Sequence, residues 1–309
     1  MARILGTGNA TLDVVLTVDG YPQENDEFRC IDRSVRRGGN TANTLVVLAQ
    51  LGHACSWAGT LVDSTEGKLI RDDLEARGVD TAASRLAGSG SVPVSTILLN
   101  AGTGSRTIIH FRDLPEYSPA DFSSLDLQSF DWLHFEGRNV ESLQAMLYWS
   151  RERYPLIPCS LEIEKPRAGI ENLFGLAQVL LFSQAYAASR GYKDPSTLLQ
   201  SVHQEFPHAD LFCSWGVEGA VSLDREGKFT SQAAYIPRRV IDTLGAGDTF
   251  NAGVIDGYLA RRDSVTLLRQ ACMLAGKKCG RSGFDGLAGS DLQGLRSPVF
   301  LEQGADQMD

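Results

Sequence analysis

The chain has 309 residues, 43% of them hydrophobic and 22% charged, which is the composition of a soluble globular protein with one large core or two. A formal net charge of −9 runs against the basic patch or stripe of a nucleic-acid binder, so no nucleic-acid partner is expected. No apolar leader follows Met1, and the uncharged apolar stretch at residues 172–189 carries Gln178, Ser183 and Gln184 and falls short of a membrane span. Six scattered cysteines without a C-x-x-C pair read as reduced thiols. Together these features predict a cytoplasmic protein with no membrane partner.

In chain order, RILGTGNATLDVVLTVDGYP begins as a strand and continues with period-2 character through Leu12, Val14, Leu16 and Val18. Residues 41–52, TANTLVVLAQLG, predict an apolar helix closed by Gly52. A buried strand, CSWAGTLV, follows. STEGKLIRDDLEARGV is an amphipathic helix that Ser64 can cap and Gly78 can end. VPVSTILLNAGTGSRTIIHF predicts a hairpin turning through NAGTGS. From DWLHFEG onward, short apolar strands alternate with amphipathic helices, ending in SVTLLRQACMLAGKKCG. That rhythm implies an α/β fold with a mostly parallel central sheet covered on both faces. The β-rich stretches at about 10–32 and 92–113 break the rhythm and predict a small separate sheet. The domain is expected over 1–290, leaving 291–309 as a C-terminal tail.

Two stretches carry chemistry. In VIDTLGAGDTFNAG, residues 240–253, the strand YIPRRVID leads through Gly245, Ala246 and Gly247 into a helix. Small residues let backbone N–H groups approach a ligand, and a helix start offers unpaired donors and a positive dipole end to phosphate oxygens. Asp248 beside such an anion hole can take a proton from a hydroxyl; it can equally be an ordinary helix cap. Asp242 could help place a metal or phosphates. In RRGGNTAN, residues 36–43, paired glycines again precede a helix, and the amides of Asn40 and Asn43 suit sugar hydroxyls; a glycine turn with an asparagine cap reads the same residues without a ligand.

DTLGAGDTFNAGVI resembles the C-terminal signature of the ribokinase/PfkB-type carbohydrate kinases. GGNTAN resembles their N-terminal one, with Thr41 where a smaller residue is usual. The two lie about two hundred residues apart in the right order, and the likeness runs over about residues 3–287. Within that family YPQENDEFRC, SRTIIH, HFEGRN, EIEKPR and AGKKCGRSGFDG point to the ketohexokinase branch. The resemblance implies a ribokinase-like three-layer sandwich whose small β-sheet is a lid and a homodimer clasp. It implies Asp248 as catalytic base and Gly245, Ala246 and Gly247 as the anion hole. It places Asp13, Asn25, Gly39, Asn40, Asn43, Arg106 and Glu136 at the sugar, and Trp215, Gly216, Glu218, Gly219, Thr243, Ala275, Gly276, Cys279 and Gly280 at ATP. ATP with Mg²⁺ is the implied donor, K⁺ an implied assistant, and C1 of a ketohexose such as fructose the implied acceptor. Ribose, a keto-deoxy sugar acid, another ketose derivative or a nucleoside stay open, as does a non-catalytic sugar- or nucleotide-binding regulatory protein.

Two departures stand out. Asn25 occupies a position where this branch places an acid, and an amide lacks the charge-assisted strength of a carboxylate. The family's N-x-x-E metal motif is replaced by SQAYA, residues 183–187, so Glu162 and Glu164 are the candidate metal carboxylates. Other motifs fail. GTGNAT lacks the third glycine of a dinucleotide fingerprint, STEGKL lacks the Walker spacing, and His53, His110, His134, His203 and His208 show no zinc spacing. Lys277 and Lys278 read as a solvated helix end, and Asp72 and Asp73 as a solvated helix face.

Overall fold

The structure, a computed structural model, describes residues 1–288 and the backbone of 295–296. The expected C-terminal tail thus lies outside the described residues apart from that two-residue strand. The chain divides into two compact units, Met1–Glu162 with Arg167–Gln178, and Ile163–Pro166 with residues 179 onward.

The first unit runs β1 (Arg3–Thr7), β2 (Thr11–Val18), β3 (Asp32–Gly38), α1 (Asn40–Gln50), β4 (Ala54–Ala58), β5 (Thr60–Val62), α2 (Thr65–Ala76), β6 (Val79–Asp80), β7 (Arg85–Ala87), β8 (Val94–Asn100), β9 (Arg106–Phe111), α3 (Pro119–Ser123), β10 (Trp132–Glu136), α4 (Val140–Arg153) and β11 (Cys159–Ile163). Strands β11-β10-β1-β4-β6 lie side by side, and every neighbour pair is parallel. Parallel strands buried on both faces need unbroken apolar runs, and Ile4, Leu5, Leu133, Phe135 and Leu161 are all buried. The exceptions are informative: Glu136 and Glu162 sit opposite one another near the C-terminal ends of β10 and β11, both buried. Open α/β sheets bind ligands at that edge.

Helix starts follow their caps. Ser64 Oγ accepts from Gly67 N at 3.0 Å at the start of α2, and Gly78, at φ 78°, ends that segment as expected. Helix α1 begins one residue before its predicted start, because Gly39 adopts φ 105° and serves as its N-cap. A second sheet orders β3-β2-β8-β9. The hairpin β8–β9 is antiparallel as expected, whereas β2 and β8 pair in parallel. Residues 19–31 form no strand, and β3 begins where the first β-rich stretch was expected to end. All six residues of β9 are exposed, Ile109 and Phe111 among them.

The second unit contains β12 (Val179–Ser183), α5 (Gln184–Ser189), α6 (Pro195–Glu205), β13 (Asp210–Ser214), β14 (Ala220–Leu223), β15 (Phe229–Gln232), β16 (Ile236–Pro237), α7 (Ala246–Leu259) and α8 (Ser264–Cys279), with Leu295–Arg296 as β17 beside β16. Strands β12 and β13 are parallel, and β14 and β15 return antiparallel. Helices α7 and α8 pack closely because a Cβ on Gly253 would meet Ala271, and one on Gly257 would meet Leu267. One expectation is corrected. YIPRRVID is a strand only at Ile236–Pro237, since residues 238–244 hold no strand and Ile241 N instead donates to Cys279 O at 2.8 Å. Proline offers no ladder donor, so β16 has little to propagate.

Candidate active site

In the first unit the polar residues converge through Asn9. Its N–H donates to Glu136 Oε2 at 2.9 Å. Arg138 Nη1 donates to Glu136 Oε1 at 3.2 Å and its Nε lies 3.7 Å from Glu116, which takes Arg112 Nη1 at 2.5 Å. Arg112, Glu116, Arg138 and Glu136 thus alternate in charge and pair a buried carboxylate, as buried charges require. A Cβ on Gly8 would strike the Glu136 carboxylate and the Thr41 hydroxyl. GTGNAT is therefore not a failed nucleotide motif alone. Its second glycine makes room for Glu136, a role legible only once β10 is known to lie beside β1.

The paired glycines have separate reasons. A Cβ on Gly38 would collide with the Asp13 carboxylate, and Gly39 is at positive φ against the Asn9 carbonyl. Asp13 faces Arg36 across β2–β3. Burial pushes its pKa above the ordinary carboxylate value, against the Thr11 and Ser95 hydroxyls and the charges of Arg36 and Arg37. Asn40 Nδ2 donates to Glu162 Oε1 at 3.1 Å. Asn43 Oδ1 accepts from Arg37 Nη1 at 2.7 Å, Arg37 Nε reaches Asp73 at 2.7 Å, and Arg77 takes the other Asp73 oxygen at 3.0 Å. Asp72 is exposed as expected, but Asp73 is corrected. It anchors the buried Arg37 that orients Asn43.

Asn25 and Arg106 are both exposed. The loop with Asn25 and the turn before Arg106 are tied by Tyr21 Oη and Ser105 Oγ at 3.0 Å. Asn25 has φ 67°, a left-handed conformation in which Asn is enriched. Backbone geometry thus offers its own reason for that residue.

In the second unit Gly245, at φ 79°, is the N-cap of α7. A Cβ there would run into the Phe284 ring. A Cβ on Gly247 would meet nothing within 4 Å, which leaves open space in front of the first turn. Thr249 closes that turn by donating N and Oγ1 to Gly245 O at 2.9 and 2.8 Å. Ala246 N reaches Thr243 O at 3.3 Å. Asp248 is buried, 6% exposed, in the same turn, although carboxylates are rarely buried without cause. An open glycine, a helix start and a buried acid fit a phosphate-bearing ligand.

Around them, Gly216 (φ 59°) and Gly219 (φ 108°) shape the loop after β13, and Trp215 N donates to Gly219 O at 2.7 Å. Trp215 is buried and Glu218 exposed. Gly276 and Gly280 have no room for a Cβ beside Tyr235 and Pro237, while Ala275 and Cys279 are half-buried. Lys278 is corrected: it is fully buried rather than solvated, with Nζ 3.1 Å from Asp242 Oδ2. Asp242 also accepts from Leu244 N and Gly283 N, so its carboxylate holds the turn. Lys277 Nζ donates to Leu287 O at 3.0 Å, so it too is tied to the chain.

The candidate metal carboxylates have unlike surroundings. Glu162 is buried on Asn40, and Glu164 is half-exposed, 3.4 Å from Lys165 Nζ. Among the described residues no group of three or more His, Cys, Asp or Glu is placed to hold a metal ion, so a protein-only cage does not fit. Nor is any described helix long and apolar enough to cross a membrane. Of the five histidines, His134 is buried with Nδ1 2.9 Å from Ser160 Oγ, and burial lowers its pKa to about 3.

Residues 1–287 match the profile described as pfkB family carbohydrate kinase. The chain is similar to ketohexokinase of Mus musculus, 38% identical over 92% of this chain and 98% of that one. It is also similar to a fructosamine kinase of Bacillus subtilis (strain 168), 47% identical over 80% of this chain and 84% of that one. The ribokinase of Arabidopsis thaliana complexed with ribose and ATP superposes with a TM-score of 0.74 at 19% identity, covering 91% of this chain and 94% of that one. The fold is therefore that of the ribokinases.

Proposed function

From a chain that belongs to the pfkB family of carbohydrate kinases, we propose an ATP-dependent kinase that phosphorylates C1 of a ketohexose such as fructose. The observation that carries the reading is the first turn of α7, where buried Asp248 adjoins open Gly247 behind the left-handed Gly245. Asp248 accepts the proton of the acceptor hydroxyl as that oxygen bonds to the γ-phosphorus. The bond from the γ-phosphorus to the bridging oxygen breaks, and ADP carries that electron pair away. Amides of the α7 first turn stabilise the charge on the transferred group. Mg²⁺, which binds mainly through substrate phosphates and water, would neutralise phosphate charge. In the first unit Asp13, Asn40, Asn43 and Glu136 offer hydroxyl-binding groups, with Gly39 approaching by its backbone, Asn25 added from the loop between β2 and β3, and Arg106 from β9.

The loop around Gly216 and Gly219, with Thr243, Ala275, Gly276, Cys279 and Gly280, is proposed to hold the nucleotide. The four-stranded sheet is proposed as a lid and a homodimer clasp, supported by exposed Ile108, Ile109 and Phe111 on its edge strand β9. A monomeric mass in solution overturns that pairing. The substrate test is ADP release from Mg-ATP across fructose, tagatose, ribose, a keto-deoxy sugar acid and adenosine, in potassium and in tetramethylammonium buffers. Preference for fructose is expected. Turnover of another sugar moves the assignment to that acceptor, and nucleotide binding without turnover on any of them overturns the kinase reading.

A further inference from the structure

Lysines are almost never fully buried unless paired, and Lys278, in the last turn of α8, is 0% exposed. Its Nζ lies 3.1 Å from Asp242 Oδ2, donates to the Asp242 carbonyl at 3.0 Å, and stands 5.3 Å from the centroid of the Phe284 ring. Asp242 in turn accepts from Leu244 N at 2.9 Å through Oδ1 and from Gly283 N at 3.3 Å through Oδ2. The Phe284 ring fills the place where a Cβ on Gly245 would stand. One ammonium therefore ties three pieces of backbone, the turn at 242–245, the end of α8 and the loop at 283–284. That turn leads directly into the first amides of α7.

The attraction of a helix C-terminus would hold a solvated lysine just as well, so it does not account for the burial. Nor does stability, because a buried ion pair is often matched by apolar residues of similar volume. What the pair supplies is direction. It fixes both the carboxylate and the carbonyl of Asp242, and so the path of the chain into Gly245. We propose that Lys278 is a positioning residue for phosphoryl transfer, which acts through Asp242 and Phe284 to hold the Gly245 turn and the α7 amides in their charge-stabilising arrangement. This rests on the kinase reading above.

The test uses the full chain with Lys278→Met, Asp242→Asn, and the two combined, each measured for melting temperature, kcat, sugar KM and ADP affinity by calorimetry. A displacement of about 1 Å in a catalytic arrangement costs about 100-fold in rate. Lys278→Met is expected to lower kcat by about that factor and to leave sugar KM within about twofold, since the sugar-side residues belong to the first unit. The double variant leaves no unpaired buried charge, so it is expected to recover the melting temperature but not kcat or ADP affinity. A purely structural tie would recover all three together, and that result, or wild-type kcat in Lys278→Met, overturns the proposal. If Lys278→Met does not fold, the double variant alone decides. If the wild type turns over no sugar, the kinase reading fails by itself, and ADP affinity still decides the role of Lys278: weakened in the double variant it stands, unchanged it falls.

Discussion

The polar clusters of the two units are built in different ways. In the first unit, carboxylates and amides at strand ends are braced by arginines: Arg138 on Glu136, Arg37 on Asn43, and Arg36 opposite Asp13. In the second, the chemistry sits on backbone. A left-handed glycine, an open glycine and buried Asp248 share the start of one helix, and buried Lys278 pairs with Asp242 of the preceding turn. The difference teaches what each can vary. Side-chain hydrogen bonds to hydroxyls can be retuned singly to change the acceptor. The backbone anion hole proposed for the second would fail as a unit, because its donors are spaced by φ and ψ rather than by rotamers.

The largest expected effect breaks the second cluster. Asp248→Asn should reduce kcat by about 10²–10⁴-fold, the usual share of general-base catalysis, with ATP and sugar affinity nearly kept in calorimetry. Activity near wild type would leave Asp248 as an ordinary acid of the first helical turn, since Gly245 is the N-cap. Next is Gly245→Ala, which meets both the positive φ and the Phe284 ring. Strain of this kind costs about 1–3 kcal/mol, so a lower melting temperature and a loss of kcat should appear together. Unchanged turnover would show that the turn tolerates displacement.

Asn25→Asp sharpens the first cluster. A charge-assisted bond in place of a neutral one should lower the ketohexose KM by a few-fold, up to about tenfold, with kcat nearly constant. No change would assign Asn25 to its left-handed backbone alone. The smallest effect is on stability. Asp13 has its pKa raised above 3.8 by burial, so the unfolded chain ionises first as pH climbs and the native state loses stability. Asp13→Asn should therefore raise the melting temperature at neutral pH by about 1–3 °C. That gain should vanish below about pH 3.8, where both states are protonated. Sugar affinity should fall in the same variant, and a variant that is both less stable and fully active would remove Asp13 from the site.

The sequence alone was enough for the α/β rhythm, the Ser64 cap, the β8–β9 hairpin and the two glycine-rich helix starts. Each is local: a cap reaches three residues, a turn four, and a helix start needs only its own glycines. Asn40, Asn43 and Asp248 were picked out by the same local pattern, and their roles belong to the proposal above. The contacts of Gly8, Asp73, Asp242, Lys278 and Phe284 were not legible locally. Asp73 looks like one charge among several on an amphipathic helix until Arg37, 36 residues away, closes on it. Lys278 sits where a solvated lysine is the ordinary choice, and only packing of α8 against the 242–245 turn removes its water. The order β11-β10-β1-β4-β6 likewise decides that Glu136 and Glu162 meet at one edge. Short-range hydrogen bonding and hydrophobic period are written in neighbouring residues. The pairing of a buried charge is decided by which distant segments exclude water from it.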